Sequence, residues 1–152
     1  MAYEFKMTRR VEFSDTDAAG ILHFANFFRY MEAVEHAFYR SLGFSVHQQS
    51  GGTMNGWPRV AASCSFSEPL RFEEVVQIHL RVLEKTEKTV RFGFVFCRSS
   101  DGSPADASQE VARGELTVIY ATKGEQDDRL RAAPIPPHVA SRIEVAPPQA
   151  GD

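Results

Sequence analysis

Apolar and polar residues alternate from residue 3 to residue 13. Tyr3, Phe5, Met7, Val11 and Phe13 fall on one phase, with Glu4, Lys6, Arg10 and Glu12 on the other. A period of two is that of a half-buried strand. From Phe24 the period lengthens: Phe24, Phe27, Phe28, Met31, Val34, Phe38 and Leu42 recur at spacings of three and four. That is the apolar stripe of an amphipathic helix of about five turns, with Gly43 placed to stop it. After a loop containing Gly51-Gly52, Asn55-Gly56 and Trp57-Pro58, four alternating runs follow. They carry Val60, Ala62, Cys64 and Phe66; Val76, Ile78, Leu80 and Val82; Val90, Phe92, Phe94 and Phe96; and Leu116 to Tyr120. Ser99 to Pro104 reads as a hairpin tip between the last two.

The expected order is therefore strand, long helix, then four strands in meander. One helix before consecutive antiparallel strands is an α+β pattern, not the alternation of a doubly wound sheet. A five-stranded antiparallel sheet can wrap its apolar face around one long helix, which is the hotdog fold. Such a sheet leaves exposed edges, so association through an edge is expected. The ending, with Pro134, Pro136, Pro137, Pro147 and Pro148, forms neither helix nor strand readily. The domain is expected to span 1–142, with 143–152 a disordered tail.

Composition narrows the function. A formal net charge of −3 excludes general nucleic-acid binding by bulk electrostatics. No apolar run reaches the roughly 20 residues of a membrane span, and the N-terminal residues lack an apolar signal core. A cytoplasmic location is expected. Cys64 and Cys97 sit in apolar strand-like runs and read as buried free thiols. Nucleophile elbows, phosphate loops, dinucleotide fingerprints and zinc motifs are absent from the sequence, and the five histidines have no ligand spacing. Asp15-x-Asp17 with Gly20 resembles the start of a calcium loop, but Ala19 and Asn26 stand where ligands are needed. No metal and no cofactor are expected.

What remains is the joint between the first strand and the helix. A helix start presents unpaired N–H groups and positive dipole, which can polarise a carbonyl and hold an oxyanion. A carboxylate beside it can attack that carbonyl or take a proton from water. Asp15 and Asp17 are placed for this, although Asp before a helix is also a common cap or turn residue.

The stretch from Val11 to Glu32, with Asp15-x-Asp17-x-x-Gly20, His23-Phe24, Asn26-Phe27 and Tyr30-x-Glu32, resembles the signature of the 4-hydroxybenzoyl-CoA thioesterase family and its YbgC-like branch. The resemblance extends in outline from Lys6 to Pro136. It implies that Asp17 is the catalytic carboxylate of an acyl-CoA thioesterase, that Asp15 is a turn residue, and that the Phe24 backbone N–H polarises the carbonyl. His23 matches the branch histidine, implying a part in orienting substrate or water, and Asn26 matches the motif asparagine, implying contact with substrate; a hydrogen-bonded histidine under the helix and a helix-start cap are the structural alternatives. Phe27 departs from the usual Tyr and lacks its hydroxyl.

Lys88, Arg129 and Arg131 resemble positions that contact the coenzyme A phosphates, where Thr86 replaces a possible Arg. Trp57 either lines or neighbours the acyl pocket or packs in the ordinary core. The implied partner is an acyl-CoA, in a homodimer or homotetramer. Two rivals share the fold: a domain that binds acyl-CoA or acyl-carrier protein without hydrolysis, and a dehydratase, whose His-centred site the Asp motif disfavours.

Overall fold

In a computed structural model, which describes residues 2–50, 53–99, 109–126 and 128–149, the helical period is realised as α1 (Phe24–Ser41). Gly43 follows at φ +93°, a left-handed conformation that costs glycine little, and the helix stops there. Phe27, Met31, Val34 and Phe38 are buried, as the stripe requires. Tyr30, Glu35 and Tyr39 are buried with them, widening the stripe. Phe24, the first helical residue, is instead 61% exposed.

The strands are β1 (Glu4–Arg10), β2 (Gln48–Ser50), β3 (Thr53–Gly56), β4 (Arg59–Phe66), β5 (Val75–Lys85), β6 (Thr89–Ser99), β7 (Glu110–Ile119), β8 (Ala121–Lys123) and β9 (Arg131–Ala132), with a short α2 (Pro137–Ala140) after them. Five form an antiparallel sheet in the order β1-β5-β6-β7-β4. Val76, Ile78, Leu80 and Val82 on β5, with Val90, Phe92, Phe94 and Phe96 on β6, face α1 and are almost fully buried. Phe38 of α1 packs against Phe5 and Phe92 at centroid distances of 6.4 and 6.0 Å. This is the hotdog arrangement, and each such ring contributes about 2–3 kcal/mol by leaving water.

The sheet departs from the expected meander in one respect. Only β5, β6 and β7 are consecutive neighbours; β4 lies at the far edge beside β7. A hairpin needs a tight turn, whereas residues 67–74 form a long link tied down along its course. Leu22 N–H donates to the Leu70 carbonyl (2.7 Å), and Arg98 grips Glu68, Glu74 and the Pro69 carbonyl. Strands β2, β3, β8 and β9 make a second small sheet where a loop was expected. Gly51, Gly52 and most of the anticipated hairpin tip, 100–104, lie outside the described residues.

The stretch after Ile143, expected to be a disordered tail, contacts β5 through Ala146 and Pro147. Ile143 and Ala146 are buried, the Ala146 N–H donates to the Val82 carbonyl (2.8 Å), and Arg81 donates to the Pro147 carbonyl. Proline keeps this stretch out of helix and strand without preventing such single contacts.

Gly114 on β7 lets the helix approach closely. A Cβ there would stand 2.7 Å from the Met31 Sδ and 2.9 Å from the Ser63 carbonyl oxygen. At the sheet edge, β4 has β7 as its one neighbour among the described residues, and its Val60 and Phe66 are 58% and 47% exposed.

Glu35 is the one carboxylate that the described core encloses completely, at 0% exposure. Its carboxylate accepts hydrogen bonds from Arg59 on β4 and from the Tyr39 hydroxyl at 3.0 Å. Withdrawal from water outweighs the nearby Arg59 and pushes Glu35 up from 4.5 to about 7. A raised carboxyl favours folding less as pH rises, because the unfolded chain releases its proton first. Between pH 4.5 and 7 the protein should therefore lose about 3 kcal/mol relative to Glu35→Gln, which lacks this titration. Urea denaturation of both proteins across that window measures the difference. Among the described residues, no helix is long and apolar enough to cross a membrane.

Candidate active site

Beyond β1 the chain makes one turn of 3-10 helix, Phe13–Asp15, and then a tight loop. Asp17 N–H donates to the Ile21 carbonyl (2.9 Å), and Gly20 N–H donates to the Asp17 carbonyl (3.0 Å). Gly20 sits at φ +77°, a value the turn needs and a Cβ would strain. Thr16 and Leu22 pair across its base. Asp17 is exposed, and its Oδ1 accepts from the Ala19 N–H at 2.8 Å. Its second oxygen has no partner among the described residues.

The turn delivers the chain to α1 with His23 as N-cap. The His23 Nδ1 accepts from the Ala25 N–H (3.1 Å), and its carbonyl accepts from the Asn26 N–H (2.8 Å). An accepting Nδ1 places the ring proton on Nε2. His23 also stacks on Phe24, with centroids 4.7 Å apart. Histidine thus fills a capping role usually taken by Ser, Thr, Asp or Asn. Two of the first helical N–H groups are satisfied in this way. The Phe24 N–H has no partner among the described residues and keeps its donor capacity at the positive end of α1.

Asn26 was expected to meet substrate, but its amide faces the protein: Nδ2 donates to the Asp15 carbonyl at 2.7 Å. The Asp15 Oδ2 accepts from the Tyr30 hydroxyl (2.7 Å) and from the Glu12 N–H (3.0 Å). The two aspartates of the motif are therefore unlike each other. Asp15 is consumed by structure, and Asp17 is left facing out.

Asp17, Ile21, Leu22, Phe24, Phe27, Phe66, Ser67, Glu68 and Pro69 line a cleft of about 420 Å³. Phe66 leans its ring against Phe27 at 5.0 Å, and Arg98 holds the opposite lip through Glu68 and Pro69. Residues 66–69 are not among the site residues expected from the sequence. Nothing local to them announces such a role; only the crossing of β4 to the far edge brings their loop back to the Asp17 turn. An exposed carboxylate, an open helix N–H and apolar aromatic walls together suit attack on the carbonyl of an apolar acyl group.

Other expected site residues stand elsewhere. Trp57 is buried against Tyr39 and Tyr120, at centroid distances of 5.4 and 5.2 Å, beside the second half of α1. It belongs to the core and not to the cleft. Lys88 lies in the β5–β6 turn, and its carbonyl accepts from the Tyr120 N–H; Arg131 pairs with Thr122 in the small sheet, with Arg129 just before it. This region is separated from the cleft by the length of β5, about 35 Å for eleven residues. Within one chain the basic residues do not reach Asp17. Burial pushes the Cys64 thiol up to about 11, so it is no thiolate at neutral pH.

The family model of the thioesterase-like superfamily matches residues 11–143. The 4-hydroxybenzoyl-CoA thioesterase of Pseudomonas sp. (strain CBS-3) is 28% identical over 138 residues, covering 90% of this chain and 94% of its own. A gentisyl-coenzyme A thioesterase superposes with a TM-score of 0.71 at 27% identity, over 90% of this chain and 99% of its own. A mutant 4-hydroxybenzoyl CoA thioesterase, solved with 4-hydroxybenzoyl CoA, gives a TM-score of 0.75 at 22% identity, over 94% and 100% of the two chains.

Proposed function

The chain belongs to the thioesterase-like superfamily, and from that premise we propose that it hydrolyses an acyl-CoA to the free acid and CoA, with Asp17 as its catalytic carboxylate. The observation that carries the proposal is the shared cleft: Asp17 and the first residue of α1 line the same 420 Å³ space. The thioester carbonyl oxygen accepts from the Phe24 N–H, and negative charge growing on it is met by the helix dipole. Asp17 then acts in one of two ways. It attacks the carbonyl carbon, the C–S bond breaks, and water opens the resulting anhydride; or it takes a proton from a water that attacks in its place. In both, CoA leaves as thiolate, a good leaving group whose pKa is near that of a free thiol at about 8.5. A general acid is then unnecessary.

Phe24, Phe27 and Phe66 wall the cleft, which suits an aromatic or short aliphatic acyl group. The named relatives act on 4-hydroxybenzoyl-CoA and gentisyl-CoA, both aromatic. The protein works as a homo-oligomer in this reading, for two reasons. The edge strand β4 is exposed, and Lys88, Arg129 and Arg131 approach a CoA phosphate at the cleft only when another copy supplies them.

A panel of aromatic and aliphatic acyl-CoAs, assayed colorimetrically for free thiol, tests the reading. Thiol release from at least one aromatic or short-chain member is expected. Thermal stabilisation by acyl-CoA with no thiol released from any of them would overturn hydrolysis in favour of a binding domain.

A further inference from the structure

The turn that carries Asp17 is joined to the start and body of α1 by hydrogen bonds that converge on Asp15. All hydrogen bonds of Asp17 itself among the described residues stay within residues 17–21. They shape the loop, whose limb entering α1 is anchored by the Leu22 N–H to the Leu70 carbonyl and by the Ile21–Arg71 bridge; the limb that leads into Asp17 is fixed against α1 by Asp15. Its carbonyl accepts from the His23 N–H (2.9 Å) and from the Asn26 amide (2.7 Å), both at the start of α1. Its carboxylate accepts from the Tyr30 hydroxyl, almost two turns further into the helix. Tyr30 is itself rigid: it is 2% exposed, and the Arg9 guanidinium of β1 lies 4.5 Å above its ring. One buried phenol therefore ties the loop to both the first strand and the central helix.

Resting on the reading of Asp17 as the catalytic carboxylate, we propose that Tyr30 is a positioning residue, whose hydroxyl sets the distance between the Asp17 carboxylate and the Phe24 N–H through Asp15. Asp15 lies two residues before Asp17, so a displacement at Asp15 is transmitted directly along the main chain. Catalytic geometry tolerates little of this; an error of about 1 Å costs up to about 100-fold in rate. Burial and the adjacent Asp15 carboxylate both raise the Tyr30 hydroxyl well above its ordinary pKa, so it remains a donor throughout the working pH range.

Tyr30→Phe removes the hydroxyl and keeps the ring in the core. Single-turnover and steady-state thiol release should show kcat lowered about tenfold with KM within about twofold, because substrate contacts are unchanged. The decisive arm places the substitution in an Asp17→Asn background. A residue acting through Asp17 has nothing left to position there, so the residual rate should be the same with and without Tyr30→Phe. An equal fractional loss in both backgrounds would show a general structural effect and overturn the proposal, as would an unchanged kcat in Tyr30→Phe alone. Asn26→Ala loosens the same joint through the Asp15 carbonyl and serves in place of Tyr30→Phe should that variant not fold. If Asp17→Asn alone retains full activity, the reading of Asp17 fails. If that variant is inactive and Tyr30→Phe matches wild type, only the positioning role fails.

Discussion

Asp17→Asn is expected to lower thioester hydrolysis by about 10³-fold while leaving the protein folded. The exposed carboxylate makes one hydrogen bond among the described residues, from the Ala19 N–H to Oδ1. An asparagine carbonyl oxygen can accept the same bond, so the turn keeps its shape. Stability should change by no more than about 0.5 kcal/mol, as for other exposed substitutions. What the amide cannot do is attack a carbonyl or accept a proton from water. Activity assays on the two proteins, with urea denaturation as the control, make the comparison. Turnover within a factor of a few of wild type would remove Asp17 from the mechanism. Loss of activity together with loss of folding would show that the residue serves the turn.

Arg59→Ala should produce the largest loss of stability, about 3 kcal/mol near pH 8. The Arg59 guanidinium meets Glu35 at 0% exposure, stands 3.4 Å from Glu32 and lies beside His36. Truncation leaves the Glu35 carboxylate enclosed, with the Tyr39 hydroxyl as its remaining donor among the described residues. Burial already holds Glu35 above its ordinary value, and removing the cation raises it further. The cost consequently depends on pH. Near pH 5 the buried carboxyl is protonated in both proteins and the loss is small; it grows as pH rises and the ionised form goes unpaired. Chemical denaturation at pH 5 and pH 8 measures it. Equal losses at the two pH values would mean that Arg59 contributes packing and not charge. The double replacement Arg59→Met with Glu35→Leu should recover most of the loss, since a well-packed apolar pair can substitute for a buried ion pair.

The helix was legible because its period is long and its stripe is built from residues of one kind: Phe27, Met31, Val34 and Phe38. Tyr30, Glu35 and Tyr39 were not, since a polar atom on a side chain conceals its membership of a buried face until its partner is known. Each has one: Asp15, Arg59 and Glu35. The five strands of the larger sheet could be counted from alternation but not ordered, because Val60 to Phe66 alternates as the inner strands do although it sits at an edge. Strands of two to four residues, such as β3 and β9, are too short to show any period.

At the candidate site, local residues identified the joint, and only resemblance distinguished Asp17 from Asp15. In the structure Asp15 is tied to Tyr30 and Glu12, and Asp17 lines the cleft. Lys88, Arg129 and Arg131 could be recognised as basic, but not which end of the sheet they occupy. Direction along a strand is set by topology and leaves no mark on a single residue.

Phe24 divides its labour between main chain and side chain. The peptide unit offers the open N–H, while the ring, 61% exposed, forms part of the cleft wall. A donor belonging to the backbone is indifferent to the identity of the residue that carries it. Under the mechanism proposed above, a substitution at this position would reshape the cleft wall that receives the acyl group while leaving the N–H that meets the carbonyl in place.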